Sequence, residues 1–382
     1  MTPDRVTLVV NGMRYAGWKE ISIERGLEKC VSSFNIAVSE RWSGSDVPWQ
    51  IQPFDAVQVY VGADLMLTGY VESYIPSFDH HTHGVRVAGH SKTIDLVQCN
   101  ADIPSGQFSG YSVAAIARAI GALFGISVVV QTDLADQVVE NTNLERCETA
   151  FSFLERLARL ASVLLCDDEN GNLVLTTAGG TKASSTLVQG QNIEAAHAMI
   201  SVAKRFSTYI IKGQAGIGCG SAASWGGAGG IGASGNAPAG AVQTSMRAVA
   251  NDTAVPRYRP HVTLGESQMT LTQMQQRVNW QKQYAYGQAT KCTVKLRGFR
   301  QADGTLWRIN QIVPCTIPWL ECDADLLVAK VKFTLDGAGG HMTELDLGPV
   351  EGYTPDPGEV KLHKGKKGKH GHGGVNWSGA GG

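Results

Sequence analysis

The chain has 382 residues, 43% of them hydrophobic, with 33 Lys and Arg set against 34 Asp and Glu for a net charge of −1. That length and core content suit two or three folded domains, and the charge balance excludes a protein that wraps nucleic acid over its whole surface. No run approaches the roughly 20 apolar residues needed to span a bilayer, and Met1 to Val10 lacks the pattern of a signal peptide.

The first ninety residues read as β structure. Val6-Thr7-Leu8-Val9-Val10 runs into Asn11-Gly12, a strong hairpin signal, with a return strand through Met13 and Tyr15. Alternation follows in Ile21-Ser22-Ile23, Phe34 to Val38, Val57 to Val61, Leu65 to Tyr74 and Val85-Arg86-Val87. Period 2 makes these half-buried strands, and several short strands hide their edges most economically in a small closed barrel, expected over residues 1–98.

From about Ala101 the period becomes helical. Ser112 can cap a helix carrying Val113, Ile116, Ile120 and Leu123, with Gly125 placed to end it. A second helix begins near Thr149 and buries Leu154, Leu157 and Ala158. Asp168-Glu169-Asn170-Gly171-Asn172 then turns into the strand Leu173-Val174-Leu175. Residues 99–190 therefore read as a helical α/β insert. A second β unit is expected over 191–354. It holds a Gly, Ala and Ser-rich insertion at 213–240 whose composition offers little apolar surface to offset ordering. It also holds a polar helix near 271–286 and strands at Cys292 to Leu296, Leu306 to Ile309, Leu326 to Leu335 and Met342 to Leu347. The stretch 355–382 reads as a flexible basic tail.

Several motifs have a chemical reading and a plainer one. Gly227 to Gly232 matches G-x-G-x-x-G, but its flanks supply neither the strand nor the helix that cofactor binding needs. The spacing arises easily in a Gly-rich loop, and no cofactor is expected. His80, His81 and His83 are the candidate metal ligands; the plainer reading is a solvated hairpin tip. Asp167-Asp168-Glu169 lacks the EF-hand spacing and reads as a hairpin turn. The eight cysteines form no C-x-x-C pair and read as reduced thiols rather than a zinc site. Cys315 and Cys322 flank Pro318-Trp319, where burial competes with a redox role. Lys361, Lys364, Lys366, Lys367 and Lys369 could contact DNA phosphates or a partner, or simply form a solvated end. No set of catalytic residues assembles.

Several segments carry a resemblance to a known family: Gly298 to Asn310, Asp325 to Asp336, Arg257-Tyr258-Arg259-Pro260 ahead of the helix with Trp280, Thr68 to Glu72, Val87 to Leu96, and Thr149 to Leu175. In this order and spacing, over roughly residues 1–355, the chain resembles the baseplate central hub proteins of Mu-like contractile-tailed phages and, more loosely, the hub part of type VI secretion spike proteins. His90 departs from the pattern, standing where many relatives carry Arg. The resemblance implies a β-rich α+β fold with two similar small β-barrels per chain and a ring-forming homotrimer. Its pseudo-sixfold face would dock a hexameric tail tube and its threefold face a trimeric spike protein. It further implies contacts with baseplate wedge proteins, a channel for genome ejection with transient DNA contact, assembly in the host cytoplasm into the virion tail, no stable membrane insertion and no enzymatic activity. The rival readings are a tail-associated cell-wall hydrolase and a DNA-binding module acting through the basic tail.

Overall fold

The computed structural model describes residues 4–39, 51–78, 80, 83–103, 105–214, 245–265, 270–337 and 339–355. Strand β1 (Val6–Val10) buries Val6, Leu8 and Val10 and returns as β2 (Met13–Ala16). Asn11 and Gly12 both take positive φ, 50° and 79°. Two left-handed residues form the mirror-image turn whose twist matches a tight hairpin, which is why glycine stands there. There follow β3 (Glu20–Gly26), β4 (Ser33–Ser39), β5 (Ala56–Val61), β6 (Asp64–Phe78) and β7 (His83–Ser91). They pair antiparallel in the order β3-β4-β7-β6-β5-β1-β2. Alternate residues, among them Ile23, Phe34, Val59, Leu67 and Val87, enter one core, each contributing about 1.5–3 kcal/mol of burial.

The insert follows with α1 (Ile94–Gln98), α2 (Val113–Leu123), β8 (Val128–Val130), α3 (Ala150–Leu160), β9 (Leu164–Asp167) and β10 (Leu173–Thr176). Both helix starts are as the sequence predicts. Ser112 Oγ accepts from the Ala115 N–H at 3.2 Å and Thr149 Oγ1 from the Ser152 N–H at 3.2 Å, satisfying donors that a helix leaves unpaired. Gly125, at φ 66°, lies just past the end of α2. The helices share a separate core with Ile116, Ile120, Phe153, Leu157 and Leu175.

Beyond it come β11 (Ile193–Ile200), β12 (Thr208–Gln214), β13 (Ser245–Asn251), β14 (Pro260–Leu264) and α4 (Leu271–Ala289). β12 is flanked by antiparallel β13 and parallel β14, and α4 packs Met274 and Val278 onto Tyr209, Ile211, Ala248 and Ala250. This small α/β layer has its own core rather than forming part of a second barrel. The start of the Gly-rich segment, through Gln214, belongs to β12; residues 215–244 lie outside the described ones.

The last strands are β15 (Thr290–Arg297), β16 (Gln311–Ile317), β17 (Cys322–Asp336) and β18 (Gly340–Gly348). Leu306 to Ile309, expected as a strand, is not one: Leu306 makes only an isolated bridge to Arg300. Leu306 and Trp307 are buried side by side, so the chain does not alternate there, and Asn310 at φ 64° turns it into β16.

β17 decides the architecture. It pairs with β18 along most of its length, but on its other side it pairs first with β16 and then, through residues 330–335, with β3 residues 21–26. A bulge between Val328 and Lys330 marks the change of partner, as expected where a strand bends. The first and second β units thus join into one 14-stranded sheet around one core. Among the described residues neither unit closes into a barrel. The edge that closure would have hidden is covered on β3 by β17 instead.

Candidate assembly surfaces

Three units meet at a buried polar joint. Asp167 ends β9 and is 2% exposed. Its carboxylate accepts from Ser32 Oγ at 2.8 Å and from the Ser32 N–H at 3.0 Å. The Asp167 carbonyl accepts from Arg25 Nη2 at 2.9 Å, and Arg25 Nε donates to Ser32 Oγ. Glu169, at the insert's hairpin tip, lies 3.6 Å from Arg25 Nη1 and 3.2 Å from Arg308 Nη2. Burial pushes the Asp167 carboxyl above its ordinary value of 3.8, against the opposing pull of Arg25 and of hydrogen bonds from Ser91 and Ser32. The acidic run expected as a plain turn is therefore two things. Asp168 Oδ1 accepts from the N–H groups of Asn170 and Asn172 to form the turn, while Asp167 and Glu169 hold the insert onto the sheet. The sequence signal for this was thin, since Arg25 and Asp167 are 142 residues apart.

The remaining candidates fall apart spatially. His80 is exposed between β6 and β7, His83 opens β7, and His81 lies outside the described residues. Among the described residues no group of three His, Cys, Asp or Glu is placed to hold a metal. His90 Nδ1 sits 2.8 Å from Glu72 Oε2, a distance suited to an ion pair when the imidazole is charged. Burial raises the Cys292 thiol to about 11 and the Cys315 thiol higher still. These groups stay protonated and behave as small apolar side chains. The pattern at 227–232 and the five tail lysines lie outside the described residues.

What the surface does present is open strand edge. Among the described residues β11 pairs only with β15, and Met199 and Ile200 are 57% and 63% exposed. Among the described residues the far half of β6, from Ser73 on, has β7 as its strand partner, because β5 stops at the Ala56–Tyr70 pair. At the tip between β16 and β17, Trp319 is 85% exposed. Such edges and apolar side chains are features of an assembling surface.

Comparisons with known proteins agree on one family. The chain matches three domain families, described as Mu phage baseplate assembly protein GpP-like, N-terminal (residues 5–91), baseplate hub protein gp44-like, second domain (residues 93–177), and Mu phage baseplate assembly protein GpP, fourth domain (residues 270–356). It is 28% identical over 366 residues to the baseplate hub protein gp44 of Escherichia phage Mu, covering 94% of this chain and 92% of that one. The crystal structure of the 43 kDa tail protein of prophage MuSo2 from Shewanella oneidensis superposes with a TM-score of 0.77 at 31% identity, covering 91% of this chain and 99% of that one. The chain belongs to the Mu-type baseplate hub family. The hub chain is accordingly a structural component of a phage tail baseplate. The E. coli c3393 protein, a type VI secretion component with structural similarity to T4 tail proteins gp27 and gp5, shares the fold alone, with a TM-score of 0.56 at 8% identity over 92% of this chain and 79% of that one.

Proposed function

We propose that three copies of the hub chain form a ring that joins the tail tube to the membrane-piercing spike and leaves a central channel for the genome. The observation that carries this reading is a repeat of strand pattern. β5, β6 and β7 have 6, 15 and 9 residues, and β16, β17 and β18 have 7, 15 and 9. Both 15-residue strands are interrupted by a bulge near the middle. Two similar barrel-like units per chain become six around a threefold ring, which suits a sixfold tube on one face and a threefold spike on the other.

In this reading the chain divides into a first β unit at 1–98, the insert at 99–190 and a second β unit at 191–354. The second unit also draws on Thr181–Lys182 and Leu187–Val188, which run parallel to β16. The role is scaffolding rather than catalysis, with no cofactor. Wedge proteins contact the rim, and the lysines at 361, 364, 366, 367 and 369 touch passing DNA without reading sequence. Equilibrium sedimentation should give a mass three times that of the chain, and averaged negative-stain images should show a three-lobed ring with a central hole. A stable monomer at assembly concentrations would rule the ring out.

A further inference from the structure

The chain that follows β18 is held tightly against α4. Val350–Tyr353 forms a short 3-10 turn, and Gln288 Nε2 donates to the Gly352 carbonyl at 2.9 Å. Gly287 and Gly352 stand backbone to backbone, so that a Cβ on Gly287 would strike the Gly352 amide. Only glycine permits so close an approach. Tyr353, 7% exposed, fills a core shared with Leu27 of the first unit, Cys166 and Val174 of the insert and Leu327 of the second unit. At the next residue Trp280 Nε1 donates to the Thr354 carbonyl at 2.9 Å.

Here a groove of about 350 Å³ opens between the insert and α4. Phe151 and Leu164 line it from the insert, Trp280 and Tyr284 from α4, and Tyr353 and Pro355 from the segment after β18. The Trp280 and Tyr284 rings stack with their centres 5.0 Å apart. Aromatic-lined grooves of this kind hold extended proline-rich segments, which arrive already in their bound conformation. Thr354 has that backbone. Its φ of −75° and ψ of 125° lie close to the polyproline II values of about −75° and +145°.

The sequence continues Pro355-Asp356-Pro357. Proline fixes its own φ at about −65° and pushes the residue before it out of the helical region. Residues 354–357 are therefore biased, one after another, to the extended conformation that Thr354 already has. A segment so restricted loses little freedom on docking. We propose that Asp356 and Pro357 continue Thr354 and Pro355 along the groove as a polyproline strap running from α4 across to α3. The strap ties the insert to the second β unit and fixes the point from which the basic stretch beginning at Lys361 departs. Asp356 finds a counter-charge in Arg159 of α3, the cation that lines the groove among the described residues, which it shares with Glu155. The occupant is this chain's own segment, because that segment enters the groove already bonded to Trp280. The inference goes beyond the ring reading and holds for a single chain.

The test uses the full chain with a photoreactive benzophenone amino acid in place of Gly358, which keeps both prolines. Illumination should link position 358 to α3 or β9, at residues 151–165, as read by peptide mass spectrometry. In a co-assembled mixture of light and heavy-isotope chains, these links should join peptides of the same isotope only. Links to other parts of the chain, or no links, overturn the strap. Mixed-isotope links at 151–165 assign the groove to a second copy and overturn it as well. A second variant, Asp356→Gly with Pro357→Gly, leaves the contacts of Tyr353 and Thr354 in place and removes the conformational bias. Amide hydrogen exchange across residues 150–165 should then rise at least threefold while the circular dichroism stays unchanged; unaltered exchange overturns the strap.

Discussion

The two 15-residue strands β6 and β17 share a length, a central bulge and an antiparallel partner of nine residues, yet their far halves differ sharply. In β17 that half carries Val331 and Phe333, buried between β18 and β3, with the Phe333 ring edge-on to Phe299 at 5.3 Å. In β6 the core-facing residue of that half is Tyr74, opposite buried Val87 and only half-buried, while Ile75, 53% exposed, lies on the other face opposite Arg86, and Pro76 and Ser77 are exposed too. Strand geometry is common to both, and the buried half of β17 has a strand on each side. One edge is satisfied inside the chain; the other has no second strand beside it among the described residues.

The largest expected effect separates these two positions. Phe333→Ala should lower unfolding stability by about 3–5 kcal/mol, the usual cost of emptying a filled aromatic site. Ile75→Ala in the dilute single chain should change it by about 0.5 kcal/mol or less. Urea denaturation measures both, and equal losses would break the comparison. Next, Asp167→Asn should cost about 2 kcal/mol by weakening the joint around Ser32 and Arg25. It should also change the pH dependence. With its carboxyl raised by burial, Asp167 keeps its proton to higher pH folded than unfolded. Its contribution to stability is therefore fully present below 3.8 and falls as pH rises through the raised value. The Asn variant should lose that slope, read from urea midpoints between about pH 3.5 and 7.

The smallest effect concerns the α/β layer of β12 to β14. Arg205 Nε lies 2.6 Å from Asp252 Oδ2 and its guanidinium stands 5.1 Å from the Tyr286 ring centre. Arg205→Met should cost about 1 kcal/mol near neutral pH. Hydrogen bonding to Arg205 holds the Asp252 carboxyl below 3.8, so this contribution is present above 3.8 and lost as pH falls through the lowered value. The pH trend is opposite to that at Asp167, and finding the same sign at both sites would contradict the assigned environments.

Local chemistry made much of the fold legible in the sequence. The Asn11-Gly12 turn, the caps at Ser112 and Thr149 and the alternation of β1, β3, β4 and β5 each depend on a few neighbouring residues. The polar helix, expected near 271–286, runs from Leu271 to Ala289. What stayed hidden depends on distance along the chain. Nothing near Glu24 announces Lys332, and nothing near Ser32 announces Asp167. β11 was missed because its inward side chains include small alanines, Ala196 and Ala198, and its alternation breaks at a bulge, with Glu194 and Ala195 exposed in succession. The Gly-rich run between β12 and β13 likewise concealed that they pair. The expected closed barrels failed for a related reason: edge satisfaction can be inferred from sequence as a need, but not who supplies it.

The polar joint has a consequence for how the chain comes to be folded. Arg25, Ser32, Asp167, Glu169 and Arg308 come from three units, so their contacts close very long loops and reward the chain only after each unit has formed. Replacement of Asp167 should speed unfolding and leave the refolding rate nearly unchanged, a φ-value near zero in stopped-flow measurements. The insert is then the last part to be locked in place, and a chain still emerging from the ribosome, lacking Arg308, cannot complete the latch.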